Sequence, residues 1–115
     1  MNNIPNAELS PRIVNGVVHW YEGDTFELQL QLDITDQDGE PIPIADSDTV
    51  SIVFRDRSNH DVKEFRFDHI ENSIVTMVFN DEVTALFRKG NYSYDVFFRG
   101  QERTTFANDN RVVVE

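Results

Sequence analysis

The stretch from Thr25 to Ile34 constrains the fold more than any other part of the chain. Phe26, Leu28, Leu30, Leu32 and Ile34 alternate without a break with Glu27, Gln29, Gln31 and Asp33. A period of two places the apolar set on one face of a strand and the polar set on the other. A helix would scatter the same residues around its axis. The chain therefore contains a sheet with one face on a core and one face in water.

The flanking sequence repeats the pattern in shorter pieces. Asn15-Gly16 sits between Ile13-Val14 and Val17-Val18, a hairpin turn between β-branched pairs, and His19, Trp20 and Tyr21 carry the second strand to the break at Gly23. Thr35 to Glu40 is a polar turn. Pro41-Ile42-Pro43-Ile44 is an extended connector that a central strand would reject, with its isoleucines against the rim of the core. Val50, Ile52 and Phe54 face inward on the next strand, and Val53 faces the other way. Phe65 and Phe67 share a face with Lys63, and Val75, Met77 and Phe79 oppose Ile74, Thr76 and Val78.

Asn80 to Phe98 combines both periods. Asn80 or Asp81 caps a helical turn bearing Val83, Leu86 and Phe87, and Arg88, Lys89 and Gly90 form its basic end. Tyr92, Tyr94, Val96 and Phe98 then share the inner face of a strand, with Phe97 on the opposite parity. A hairpin at Arg99-Gly100-Gln101 leads into Arg103 to Phe106. Asn108-Asp109-Asn110 reads as a bulge before Arg111 to Val114. The result is an all-β, antiparallel two-sheet sandwich of about seven or eight strands with one short helical turn. Residues 1–11 form a flexible amino-terminal arm and residues 12–115 a single domain. The expected core is Phe26, Leu28, Leu30, Leu32, Val50, Ile52, Phe54, Val75, Met77, Tyr92, Tyr94, Val96 and Phe98.

Composition narrows the function classes. The net charge is −11, from 21 acids and 10 bases, a field that repels nucleic acid and anionic membrane. No cysteine is present, which excludes disulfides and cysteine-based zinc sites and favours intracellular synthesis. The opening residues lack the basic start and apolar run of a signal peptide, and no apolar run approaches the roughly 20 residues a membrane span needs.

Catalytic and metal motifs find no footing. Setting Gly39 at position six of a calcium loop places Asp36 and Asp38 correctly, but Ile34 and Ala45 fall where ligands are required. An irregular calcium site from Asp36, Asp38 and Asp46 stands against a plain solvated turn. His19, His60 and His69 occur on different elements without ligand spacing. No serine lies in a nucleophile elbow and no glycine-rich loop precedes a helix, so neither enzyme nor cofactor is expected. Trp20 and Tyr21 lie on or beside an apolar strand, so core packing or covering the sandwich end suits them better than stacking on a sugar.

The order G-D-T-F-E-L-Q-L-Q-L at Gly23 to Leu32, D-G-E-P-I at Asp38 to Ile42, V-S-I-V-F at Val50 to Phe54 and T-A-L-F-R-K-G-N-Y-S-Y-D-V at Thr84 to Val96 carries a resemblance. It resembles immunoglobulin-like domains of tailed-phage virion proteins, in particular the amino-terminal domains of baseplate upper proteins from phages and prophages of Gram-positive bacteria. The likeness spans about residues 20 to 100. It implies a structural role in a virion, made in the bacterial cytoplasm, with no catalytic residues and with function residing in protein interfaces. It also implies a tyrosine corner at Tyr92, whose hydroxyl returns to main chain within Asp81 to Lys89.

Val53, Ile74, Val78 and Phe97 are the candidate interface residues, because they add apolar surface on faces that should be wet. Self-association or docking on other virion proteins would cover them, and so would the Pro41 to Ile44 connector or the arm. Two other function classes stay open. The −11 charge fits a small acidic inhibitor that mimics nucleic acid, although the acids alternate with Arg55, Arg57, Lys63 and Arg66. Trp20 and the tyrosines fit a carbohydrate-binding module.

Overall fold

Tight turns with left-handed residues set the strand lengths. The computed structural model describes residues 10–45, 47–103 and 109–115, the side chain of Arg103 excepted. Asn15 and Gly16, with φ of 53° and 84°, join β1 (Arg12–Val14) to β2 (Val17–Trp20) in the doubly left-handed turn that suits the twist of a two-residue hairpin. Asn72 and Ser73 repeat this geometry between Glu71 and Ile74, with φ of 56° and 59°, and the Ile74 N–H donates to the Glu71 carbonyl at 3.1 Å.

Two longer turns share another design. Asp36 Oδ1 accepts from the Asp38 and Glu40 amides at 2.9 and 3.0 Å, and Gly39 takes the left-handed position. Asp56 Oδ1 accepts from the Ser58 and His60 amides, both at 2.9 Å, and Asn59 takes that position. In both, a carboxylate satisfies amides that the turn leaves without a ladder partner.

The remaining elements are β3 (Phe26–Gln31), β4 (Val50–Asp56), β5 (Asp61–Phe67), β6 (Ile74–Phe79), α1 (Asp81–Thr84), β7 (Gly90–Phe98), β8 (Gln101–Arg103) and β9 (Arg111–Val114). One sheet has the order β1-β2-β9-β7-β4-β5, with β8 also on β7, and the other is the pair β3-β6. The chain is thus an all-β sandwich of two sheets with one turn of helix. Among the described residues its ladders are antiparallel with one exception: β2 runs parallel to β9, Val18 opposite Val112 and Trp20 opposite Val114. This corrects the uniformly antiparallel expectation. After β2 the chain crosses to the second sheet at Gly23, and only its last strand returns to lie beside β2.

Both sheets supply the core. Leu28, Leu30, Val75, Met77 and Phe79 meet Val50, Ile52, Phe54, Tyr94, Val96 and Phe98, all buried. Two expected core residues, Phe26 and Tyr92, are only half-buried because they lie at the sandwich end. Val18, Trp20, Phe87, Val112 and Val114 join the core from the short strands and the α1–β7 link. Ile42 and Ile44 pack half-buried at its rim.

The helical turn is shorter than its sequence suggests. Asn80 Oδ1 caps it by accepting from the Val83 amide at 3.0 Å, but it ends at Ala85. Leu86 and Phe87 then donate to Val83 and Thr84 carbonyls, a tighter three-residue winding. That winding leaves Leu86 exposed, seats Phe87 in the core and places Arg88 and Lys89 beyond the helix. The Tyr92 hydroxyl donates to the Arg88 carbonyl at 2.8 Å and so ties the link to β7. Burial, the largest influence on this phenol, raises its pKa above the ordinary value. Tyr92→Phe is expected to cost about 1 kcal/mol, the net worth of one such bond, read as a shift in denaturation midpoint at unchanged slope.

At the other end of β7, β8 and β9 both pair with the same edge, opposite Val96 to Phe98 and Gly90 to Ser93 respectively. Asn110 joins the gap between them. It is buried, takes φ of 66°, donates from Nδ2 to the Tyr94 carbonyl at 3.1 Å and accepts from the Tyr94 amide through its own carbonyl. Most of the strand expected over Arg103 to Phe106 lies outside the described residues, as do residues 1–9 of the arm and Asp46. Ser10 is anchored: its hydroxyl donates to Asp24 at 2.7 Å and accepts from the Tyr21 amide.

Candidate interface

The four candidate residues fall on two outer faces, one per sheet. Val53 and Phe97 share the outer face of the larger sheet, and Ile74 and Val78 share that of the β3-β6 pair. The structure therefore separates them into two pairs.

The first pair is covered from within. Val53 is only 7% exposed, which departs from the expected wet position. It lies opposite Asp95 and Glu64, and Arg55 stands next along the same face. The Arg55 guanidinium pairs with Asp95 and with Asp61, and it sits 5.9 Å from the centre of the half-buried Phe97 ring. The Asp61 bond, first among its influences, raises the Arg55 pKa further above its ordinary value. Val53 is thus buried within the chain, and the Phe97 ring has the Arg55 guanidinium over it.

The second pair has no such cover. Ile74 is 39% and Val78 is 52% exposed, with Thr76 half-buried between them. Across the ladder stand Gln31, Gln29 and Glu27, so one column of this face is polar and the other apolar. Among the described residues β3 is the one strand paired with β6, and Glu71 bridges Ile74 on the other edge. Ile42 and Ile44 pack against the core rim, and the two β6 side chains remain in solvent.

The remaining sequence candidates resolve into local structure. Trp20 is fully buried against Phe26, Phe79, Phe87 and Phe54 at centroid distances of 5.0, 5.1, 5.4 and 6.4 Å, so no sugar can stack on it. Tyr21 is half-buried, with the Arg12 guanidinium 5.2 Å from its ring. His19 Nδ1 lies 2.9 Å from Glu115, which also accepts from Arg12. His60 sits in the β4–β5 turn and His69 is exposed between β5 and β6. Asp36 spends one oxygen on its own turn, and Asp46 lies outside the described residues. Among the described residues no group of three or more histidines and carboxylates is placed to hold a metal ion. None of their helices is long and apolar enough to cross a membrane.

Carboxylates with shifted pKa values are structural ties. Arg99 clamps Asp48 with two bonds of 2.7 Å, and the Asp48 carboxylate also accepts from the Ala45 amide. The Arg99 bonds are the largest cause holding Asp48 below its ordinary 3.8. Asp56 is lowered chiefly by the His60 amide, and Asp109 chiefly by Arg111. A depressed carboxylate contributes stability that is present above the unfolded pKa and is lost as pH falls through the folded one. The Asp48–Arg99 clamp should therefore hold at pH 4 and release only below about 3.8. A carboxyl NMR titration should show this, with Asp48 moving back up toward its ordinary value in Arg99→Gln.

Sequence reasoning missed the burial of Val53, because the cover over an outward valine comes from side chains on neighbouring strands. It also did not separate the two pairs, since parity assigns a face within a strand and leaves the sheet unspecified. No family model matches the chain, and neither does any curated protein or solved structure.

Proposed function

We infer that the chain is a non-enzymatic structural module of a tailed-phage or prophage particle, working through protein–protein contact on an immunoglobulin-like sandwich. The observation that carries this reading is β6, an uncharged strand with Ile74 and Val78 in solvent and, among the described residues, only the Glu71 bridge to Ile74 on its second edge. Exposed apolar side chains on an open edge are a standing cost unless something covers them.

The immunoglobulin-like reading is supported by topology. The order β9-β7-β4-β5 facing β3-β6 matches the G-F-C-C′ sheet over B and E of that fold. The Tyr92 bond to Arg88, just before β7, has the form of a tyrosine corner. The motif order from Gly23 to Val96 supplies the phage connection. An acidic mimic would need an unbroken negative stripe, whereas the outer face of the larger sheet interleaves Arg55 and Arg66 with Asp95 and Glu64.

The test is mass spectrometry of gradient-purified particles released by the source bacterium. The chain is expected in the particle fraction at a stoichiometry above trace. Its absence from particles, with abundant free protein in the lysate, would contradict the virion reading.

A further inference from the structure

The asparagines of this chain are not chemically equivalent, and the fold sorts them. An asparagine side chain deamidates when the backbone nitrogen of the next residue attacks its amide carbon. That step needs an exposed side chain, a following nitrogen free of hydrogen bonds and little bulk beside it.

Six asparagines lie among the described residues. Asn59 and Asn110 are blocked at the nucleophile, because the His60 amide donates to Asp56 at 2.9 Å and the Arg111 amide to Asp109 at 3.1 Å. Asn110 is also buried, with its own Nδ2 donating to the Tyr94 carbonyl. Asn80 Oδ1 is held on the α1 cap by the Val83 amide. Asn91 lies inside β7 with the ring of Tyr92 next in the chain. Asn15 and Asn72 remain. Both are exposed at left-handed turn positions, and among the described residues nothing accepts from the Gly16 or Ser73 amide. Of the two, only Asn15 is followed by glycine, whose nitrogen has no side chain to crowd it.

We propose that Asn15-Gly16 is a self-modification site, a succinimide-forming turn whose isoaspartyl product unfastens β1. The Gly16 nitrogen gives up its proton and bonds to Asn15 Cγ; the Cγ–Nδ2 bond breaks and the side-chain nitrogen leaves as ammonia. Water then opens the ring at either carbonyl, giving aspartate or isoaspartate. Both products add one negative charge to the −11 chain. Isoaspartate also routes the main chain through Cβ and Cγ, which makes it one atom longer, and a two-residue hairpin loop has no room for that atom. The turn is tied at Gly16, whose carbonyl accepts from the Asp109 amide at 2.8 Å, and the tie goes with the turn geometry. Among the described residues β1 pairs with β2 alone. Its release therefore leaves the other ladders standing and makes β2 an edge strand with unpaired backbone groups.

The test ages the folded chain in warm, mildly alkaline buffer, with a parallel sample unfolded in urea. Peptide mapping follows the gain of one mass unit at each asparagine, and methyltransferase labelling identifies isoaspartate. In the folded chain Asn15 should convert first of the six, with Asn72 second. Folding should slow Asn59, Asn80 and Asn110 by larger factors than Asn15. In the isoaspartyl material the Val17 and His19 amides, which face β1, should lose their hydrogen-exchange protection, while the β4–β7 ladder keeps its own. Asn15→Asp adds the charge without the extra atom and should keep the Val17 and His19 protection. Conversion of any of the other five before Asn15 would overturn the site. Isoaspartate at position 15 with Val17 and His19 still protected would overturn the unfastening of β1. An equal loss of protection in Asn15→Asp would overturn it too, by making charge the cause.

Discussion

Replacing Trp20 by alanine is expected to remove about 3–5 kcal/mol of stability, a large part of the roughly 5–15 kcal/mol typical of a domain. Trp20 is fully buried at the point where the parallel β2–β9 edge, the β3-β6 pair and the α1–β7 link converge on one aromatic cluster. Phe54 and Phe79 touch each other, Phe87 and the indole, so truncation leaves a cavity whose walls are rings fixed by one another. A cavity that cannot collapse costs the most. The indole Nε1 has no hydrogen-bond partner among the described residues. Trp20→Phe therefore loses volume and no described bond, and should cost less. Denaturant midpoints at unchanged slope would check both; a loss under about 1 kcal/mol for Trp20→Ala would contradict the central placement.

Leu30→Ala should cost about 2–5 kcal/mol. Leu30 is 6% exposed, opposite Val75 in a sheet only two strands wide. Such a layer has no neighbouring strand to shift into the space. The adjacent Gln29→Ala, on the exposed face, should stay within about 0.5 kcal/mol. Thermal or chemical unfolding of the pair reads the alternation directly. Similar losses at both positions would mean that the polar face is also buried.

These two residues also show what sequence can carry. Leu30 was legible from period alone, since one alternating strand assigns both its faces. The same logic exposed Ile74 and Val78 and buried Val75 and Met77. Asn15-Gly16 announced its turn because only a left-handed pair closes such a hairpin. For Trp20 the sequence favours the core over a sugar platform but does not name its neighbours. Its strand is four residues long, too short for a period, and its burial comes from Val114 beside it and Phe87 from far along the chain. The parallel β2–β9 pairing is likewise a tertiary fact with no local signature. Val53 shows a third limit: parity places it on the outer face correctly, and it is nonetheless buried there. Of the proposed interface, the apolar parity was readable. Which pair stays uncovered, and which edge is open, required the sheet order.

The most direct test is molar mass by light scattering across a concentration series, for the unmodified chain and for Val78→Ser. Val78 is half exposed, so the serine should leave the melting temperature nearly unchanged, whereas Phe97→Ser, under its arginine, should lower it. The account predicts that the unmodified chain rises above monomer mass with concentration and that Val78→Ser stays monomeric with its fold intact. A chain that stays monomeric at every concentration would contradict self-association through the exposed Ile74 and Val78, and a collapse of stability in Val78→Ser would show the residue to be core.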